Sequence, residues 1–288
     1  MIRSLLSALL LGLFPSVSGV STDYVALQRV AIAPVSEELV LDESISASGV
    51  VIYDMHSGQQ LFGRQARIQR PMASLTKLMT ALLIVENHAM DEIVTIPANV
   101  VDTTGNKAYL PPGKRFTVGD LLSALLINSA NDAALTLAQY HSGSVPAFVD
   151  AMNKRALQLG MTGTSFRNPA GLDDPAHWST PQDIAWLAMF DMRYDDIASR
   201  LSSAGKRIVS LEGDTIQLYH THVLLHEQSP VIAGKTGTTN AAGQCLMSIV
   251  EEGGKEYMVV LLHSEQRYKD METILNAFNT TSSPVAEL

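Results

Sequence analysis

The spacing of apolar residues divides the chain into extended ends and a helical middle. Ala47 to Asp54 is a β-branched run, Ser57-Gly58 reads as a turn, and Gln60 to Arg64 starts a second strand, which together predict a hairpin. From Leu75 the period becomes helical. Leu78, Leu82 and Val85 fall on one face and Met79 and Leu83 broaden it, so a helix is expected over Leu75 to Asn87. Ile93 to Ile96 is a short strand and Pro111-Pro112-Gly113 a turn. Helices follow over Val118 to Ile127, with Asp120 in the first turn, Asp132 to Tyr140, and Val145 to Leu159, the last closed by Gly160. Pro181 to Phe190 is the next, with Thr180 as N-cap and Asp183 at capping-box spacing.

The pattern then turns extended again. Arg207 to Leu211 and Thr215 to Tyr219 flank Glu212-Gly213-Asp214 as a hairpin. Val231 to Thr238, Gln244 to Glu251 and Tyr257 to His263 read as three strands, the last two joined tightly at Gly253-Gly254, and Met271 to Phe278 reads as a closing helix. The economical packing is an α+β fold in three α/β/α layers. Its antiparallel five-stranded sheet is built from both chain ends, with a helical subdomain inserted between.

With 288 residues and 46% hydrophobic content, the chain can bury a substantial core. Residues 1–21 read as a signal peptide: Arg3, an apolar run from Leu5 to Phe14, the breaker Pro15, and small residues at Val17, Gly19 and Ser21. That run is about half of the ~20 residues a membrane helix needs, and its alternative is a retained N-terminal anchor. Residues 22–44 form a lead-in, 45–280 the main domain, and 281–288 a polar tail with no C-terminal membrane anchor evident. Cys245 is the single cysteine, so no intrachain disulfide can form; it reads as a buried small hydrophobe. The formal net charge of −9 argues against nucleic acid or an anionic membrane as partner.

Three short motifs then change the picture: Ser74-Leu-Thr-Lys77, Ser129-Ala-Asn131 and Lys235-Thr-Gly237. Their order and spacing match the S-x-x-K, S-D-N and K-T-G set of the penicillin-interacting enzymes. Ser74 and Lys77, three apart at a helix start, share a face. A serine hydroxyl needs a base to attack, and a lysine serves only if burial and a second cation lower its pKa; Lys235 is the candidate for that cation. Ser129 can relay a proton and Asn131 can hold an amide, although Ser, Asn and Asp are also ordinary helix caps. Lys235, Thr236 and Thr238 can bind a carboxylate along an exposed strand edge, where Gly237 admits a substrate backbone. S-x-x-K occurs by chance about once in a chain of this length. A second copy, Ser203-Ala-Gly-Lys206, lies in a loop-like stretch with no apolar helix behind it.

On these residues the chain resembles the serine D-Ala-D-Ala carboxypeptidases, the low-molecular-weight penicillin-binding proteins of peptidase family S11. The stretches that carry the resemblance are residues 71–81, 125–134, 166–173 with 179–183, and 234–239. It implies a β-lactamase/transpeptidase-like fold and an exported, periplasmic enzyme of cell-wall biogenesis and cell shape. The implied substrate is a peptidoglycan stem peptide ending in D-Ala-D-Ala, with β-lactams as covalent inhibitors and no metal or organic cofactor. Ser74 would be the nucleophile, Lys77 the base and Ser129 the proton relay. Asn131, Lys235, Thr236, Gly237, Thr238 and Arg267 would bind substrate, and the Ser74 and Thr238 N–H groups would form the oxyanion hole. One departure is Ala130, where the family has glycine.

Three alternatives remain at this level. A DD-endopeptidase cutting crosslinks uses the same chemistry. A class A β-lactamase would need Glu-x-x-Leu-Asn between the second and third motifs, whereas Glu272-Thr-Ile-Leu-Asn276 comes after Lys235. A zinc module is suggested by His220, His222 and His226-Glu227, with His220 and His222 sharing a face if they lie on one strand.

Overall fold

The computed structural model describes residues 39, 41 and 45–281. The expected signal segment, nearly all of the lead-in and residues 282–288 of the polar tail lie outside the described residues. Strands β1 (Gly49–Asp54) and β2 (Gln60–Arg64) form the opening hairpin. A 3-10 turn over Ala73–Thr76 leads into helix α1 (Lys77–Asn87). The inserted helical part follows: β3 (Ile93–Thr95), β4 (Arg115–Thr117), α2 (Val118–Leu126), α3 (Asn131–Ser142), α4 (Val145–Gln158), α5 (Pro181–Asp191) and α6 (Asp195–Leu201). The hairpin β5 (Gly205–Val209) and β6 (Thr215–Tyr219) leads to β7 (Val231–Thr239), β8 (Gly243–Glu252), β9 (Lys255–Ser264) and the closing helix α7 (Arg267–Thr281).

The main sheet is antiparallel with strand order β2-β1-β9-β8-β7. Strand β1 from the N-terminal part therefore pairs with β9 from the C-terminal part, as the apolar pattern predicts. Both faces of the central strands are covered. Val50 and Ile52 join Val259 and Leu261 under Met271, Ile274 and Phe278 of α7. Val51 and Tyr53 face the other way, with Met258, Val260 and Leu262, into the core shared with the helical insert. Covering on both faces explains why these strands read as near-continuous apolar runs instead of an alternation.

Polar contacts fix where the layers meet. Asp270 in the first turn of α7 accepts from Ser46 N (2.8 Å), Ser46 Oγ (2.8 Å), Ala47 N (2.9 Å) and Ser264 Oγ (2.6 Å). This closure starts α7 at Arg267, four residues before the apolar period begins at Met271. The short helix α6 was not legible, because Ile197 and Leu201 alone supply too little period. Thr180 caps α5 by accepting from Asp183 N at 3.0 Å. The expected reciprocal half of the capping box is absent, because the Asp183 carboxylate turns to Gly163 N (2.9 Å) and Thr164 Oγ1 (2.7 Å).

At the end of α5, Asp191 is fully buried and neither carboxylate oxygen has a hydrogen-bond partner among the described residues. Burial, reinforced by the Glu86 charge and opposed by Arg155, holds its pKa well above the ordinary carboxylate range. An acid whose folded pKa is raised costs stability above its unfolded pKa, and the cost grows as pH rises. Asp191→Asn is expected to raise the melting temperature by a few degrees at pH 8 and by less at pH 5, measured by thermal unfolding.

Candidate active site

The turn that carries Ser74 is held from two sides. Ala73 sits in left-handed backbone at φ 48°, which costs an L-residue energy and requires support from its surroundings. Gly237 of β7 lies against it: a β-carbon there would be 2.7 Å from Ser74 N and 2.9 Å from Ala73 Cβ. Gly171, at φ 87°, comes from the segment between α4 and α5, and a β-carbon there would overlap the Ala73 carbonyl. Ser74 lies in the 3-10 turn, and the α-helix begins at Lys77, two residues later than the Leu75 start that the period suggested. Residues i and i+3 eclipse in a 3-10 turn, and Lys77 Nζ is 2.9 Å from Ser74 Oγ.

Lys77 is fully buried. Besides Ser74 Oγ, its amine meets Asn131 Oδ1 at 2.7 Å and the Ala170 carbonyl at 2.6 Å. Those two oxygens only accept, so they take two N–H groups. In the neutral amine the lone pair then faces the serine hydroxyl. Burial, then the charge of Lys235, push the Lys77 pKa well below its usual value, against an opposing pull from Asp132. Asp132 is itself buried and accepts from Ala108 N (3.1 Å) and Leu110 N (3.0 Å).

Ser129 stands in left-handed backbone at φ 58° between α2 and α3, and its Oγ accepts from Lys235 Nζ at 2.7 Å. The capping alternative does not hold. The N-cap of α3 is Ala130 with no side-chain cap, and the Asn131 side chain bridges Lys77 and the Thr104 carbonyl (2.7 Å). Lys235 is fully buried, also donates to the Thr236 carbonyl at 2.8 Å, and has its pKa lowered to about 7 by burial and by Arg267. Strand β7 is the edge of the sheet, as expected, but Lys235, Thr236 and Gly237 are buried under the insert and Thr238 is exposed.

Arg267, expected to bind substrate, is engaged with the two strands beside it. Its guanidinium donates to the Gly237 carbonyl (2.9 Å), the Cys245 carbonyl (2.9 Å), Gln244 Oε1 (3.1 Å) and Thr238 Oγ1. It braces β7 against β8 while adding positive charge beside Thr238. Cys245 is buried, and burial raises its thiol pKa to about 11, as befits a small apolar filler.

Three distant segments thus surround one hydroxyl with two buried amines. A family model described as D-alanyl-D-alanine carboxypeptidase, Peptidase_S11, matches residues 35–266. The chain belongs to this family. It is 30% identical over 220 residues to the D-alanyl-D-alanine carboxypeptidase DacF of Bacillus subtilis, covering 75% of this chain and 57% of that protein. To DacB2 of Mycobacterium tuberculosis it is 32% identical over 217 residues, covering 74% and 73%. To a D-alanyl-D-alanine endopeptidase of Pseudomonas aeruginosa it is 30% identical over 219 residues, covering 74% and 70%. The chain therefore spans little more than half of the Bacillus relative and about seven tenths of the other two. Among solved structures, the Streptomyces K15 DD-transpeptidase superposes with a TM-score of 0.77 at 29% identity, covering 84% of this chain and 100% of that one. The fold is that of the penicillin-binding DD-peptidases.

The other sequence signals resolve differently. In the second S-x-x-K copy, Ser203 Oγ bonds the Gly205 carbonyl (2.9 Å) and Lys206 reaches Ser123 Oγ (3.2 Å), so the two side chains serve separate contacts. Glu272 to Asn276 lies within α7. His220 and His222 follow the end of β6 instead of sharing a strand face. Their ring centroids are 6.5 Å apart, His222 Nε2 meets Ser248 Oγ at 2.8 Å, and His226 Nε2 meets the His220 carbonyl at 2.8 Å. Thr221, between the first two, accepts from Thr236 Oγ1 at 2.6 Å, so this segment forms a wall behind the third motif.

Sequence reasoning missed the residues that hold the site from behind. Asn168 Oδ1 accepts from Gly171 N (2.7 Å) and Leu172 N (3.0 Å), shaping the loop that presents the Ala170 carbonyl to Lys77. The buried His177 accepts at Nδ1 from Arg167 N (2.9 Å), which places its proton on Nε2 toward Thr76 Oγ1 (2.7 Å); Thr76 in turn donates to the Ala73 carbonyl (2.8 Å). Burial lowers the His177 pKa to about 4, so the ring stays neutral and the relay stays oriented. A histidine close to a matched motif was the available signal. His177→Ala should slow covalent labelling by a fluorescent penicillin about 10–100-fold, as expected when a reacting group is displaced. His177→Gln, with one donor and one acceptor, should recover part of the rate in a time course.

Proposed function

We propose that this protein is an exported serine DD-peptidase that removes the terminal D-alanine from peptidoglycan stem peptides through a Ser74 acyl-enzyme. The observation that carries the reading is the buried Lys77 amine, 2.9 Å from Ser74 Oγ, with its two N–H groups claimed by acceptor-only oxygens. Lys77 takes the hydroxyl proton as Ser74 attacks the carbonyl between the two D-alanines. The N–H groups of Ser74 and Thr238 hold the oxyanion; one such donor is worth ~3 kcal/mol in the transition state. Ser129, bonded to Lys235, passes a proton to the departing amine. Water then releases the acyl group.

The carboxylate of the leaving D-alanine is held by Lys235 with the hydroxyls of Thr236 and Thr238, the Thr236 proton turning to it from Thr221 Oγ1, and Arg267 reaches it through Thr238. Gly237 and Asn131 line the path of the substrate backbone. β-Lactams occupy the same site as covalent inhibitors. Residues 1–21 direct export to the periplasm or the equivalent envelope space, where the substrate is found. Among the described residues no helix is long and apolar enough to cross a membrane.

Crosslink cleavage is the second reading, favoured by the likeness to the Pseudomonas endopeptidase, which matches that to the carboxypeptidases. One assay tests both. The protein is incubated with a monomeric pentapeptide and with a crosslinked dimer, and free D-alanine and freed monomer are measured. Release of D-alanine from the pentapeptide is expected, and Ser74→Ala should abolish it together with penicillin labelling while the protein stays folded. Labelling of Ser74→Ala at the wild-type rate would remove Ser74 from its role.

The pH profile gives an independent check. Lys235 carries its charge below about pH 7 and loses it above. Since kcat/KM reports the free enzyme, kcat/KM for the pentapeptide should fall on the alkaline side with an apparent pKa near that value. Lys235→Arg keeps the charge and should shift this limb upward by more than 1 pH unit, at a lower absolute rate.

A further inference from the structure

The helices that carry Lys77 and Asn131 are joined at both ends. Lys77 opens α1, Asn131 opens α3, and their side chains meet at 2.7 Å. At the other end of α1, about 16 Å away at ~1.5 Å per residue, the two helices are tied again. His88 follows the last turn of α1, His141 lies in the last turn of α3, and His88 Nε2 is 3.0 Å from His141 Nδ1.

A carboxylate fixes the protons of this pair. Glu92, just before β3, accepts from Ala89 N (2.7 Å), Tyr140 OH (2.8 Å) and His88 Nδ1 (2.8 Å). Those contacts, the Ala89 N–H foremost, lower the Glu92 pKa to about 2, and the Glu92 contact raises that of Tyr140. Around neutral pH the carboxylate is therefore ionised and the phenol neutral. An ionised carboxylate only accepts, so His88 carries its proton on Nδ1 and turns its Nε2 lone pair to His141, whose Nδ1–H donates. Both rings are half-buried. His88 packs on Tyr140 (5.0 Å between ring centroids), and His141 stands edge-on to the buried Phe148 of α4 (5.3 Å). The ionisable groups that face the pair are thus Glu92 from the segment before β3 and Tyr140 from α3, while α4 brings an uncharged ring.

The geometry accepts one added proton and opposes a second. With one, His88 donates from both nitrogens, to Glu92 and to a bare His141 Nδ1, and the His141 proton sits on Nε2. With two, an N–H faces an N–H, the hydrogen bond is lost, and two cations lie with ring centroids 5.2 Å apart. Burial, and then the His88 charge, lower the His141 pKa in keeping with this. A histidine whose folded pKa is lowered contributes full stability above the ordinary imidazole value of ~6.5 and loses it as pH falls below that value.

We propose that the His88–His141 pair is an acid-released clamp on the catalytic helices: it holds the far ends of α1 and α3 together until a second added proton parts them and loosens the Lys77–Asn131 end. The clamp is independent of the reaction, and its effect on Ser74 rests on the DD-peptidase reading.

Hydrogen exchange on the full protein at pH 7.5 and pH 5, corrected for the intrinsic pH dependence of exchange, tests it. The amides read are His88 N, bonded to the Ile84 carbonyl (3.0 Å), and Gly143 N, bonded to the Gln139 carbonyl (2.8 Å). Met161 N, bonded to the Ala156 carbonyl (2.9 Å) beyond the end of α4, is the reference. Protection at the first two should fall about fivefold more than at the reference on going to pH 5, the worth of one hydrogen bond. In His141→Asn, whose amide puts an N–H in the place of Nδ1 and takes up no proton, that excess should vanish. The pH 5 to pH 7.5 ratio of fluorescent-penicillin labelling rates should be lower in the wild type than in His141→Asn, by up to the same factor. Titration of Lys77 and Lys235 is common to both proteins and cancels. Each ratio is internal to one protein, so partial loss of folded variant does not move it. Wild-type protection that falls no further than the reference, an excess that persists in His141→Asn, or equal labelling ratios overturn the proposal. Folded wild type that takes no label at either pH overturns the DD-peptidase reading and leaves exchange to decide the clamp.

Discussion

Two lysine side chains lie fully buried around one serine hydroxyl, and the surrounding structure is arranged to permit it. Moving an ammonium out of water is expensive, and a second one nearby adds repulsion. The fold meets this cost in part by lowering both pKa values and in part by supplying oxygen acceptors from distant segments. Lys77 draws on α3 through Asn131 and on the loop before α5 through Ala170. Lys235 draws on Ser129 and on its own strand. Each acceptor is thereby positioned by a different part of the chain, so the site exists only when sheet and helical insert are docked.

That docking is tight enough to exclude side chains at two points. Gly237 and Gly171 press on the turn at Ala73 from the sheet side and the loop side. The left-handed backbone at Ala73 and Ser129 lies at the two ends of the polar network. Strained backbone persists where the surroundings over-determine it. Here the surroundings are the His177–Thr76 relay beneath Ala73 and the Lys235 contact on Ser129. Position of the hydroxyl is thus set by packing against two walls, and its reactivity by the charges those walls bury.

The sheet supplies rigidity for this arrangement. Because α7 covers one face and the insert the other, β7 is packed on both faces although it is an edge strand. Arg267 at the start of α7 binds β7 and β8 carbonyls, and Asp270 one turn later binds the segment before β1. A single helix start therefore joins the third motif to the first strand of the domain.

The sequence by itself determined the elements and the groups of the candidate site: the five strands of the main sheet from apolar runs and the turns between them, the principal helices from their period, and the hydroxyls and amines from three motifs. Those signals are local, or carried by residue type, and survive in one dimension. Only the tertiary structure decided what depends on distant groups meeting. It put Leu75 and Thr76 with Ser74 in a 3-10 turn and began the α-helix at Lys77, with Gly171 and Gly237 crowding that turn from segments far along the chain. It turned Ser129 and Asn131 from possible caps into partners of Lys235 and Lys77, and made Arg267 a brace between two strands. It also recruited the Ala170 carbonyl and His177, whose roles no residue type announces: a backbone oxygen looks alike at every position, and a histidine becomes a strut only where burial leaves one ring nitrogen facing each of two segments.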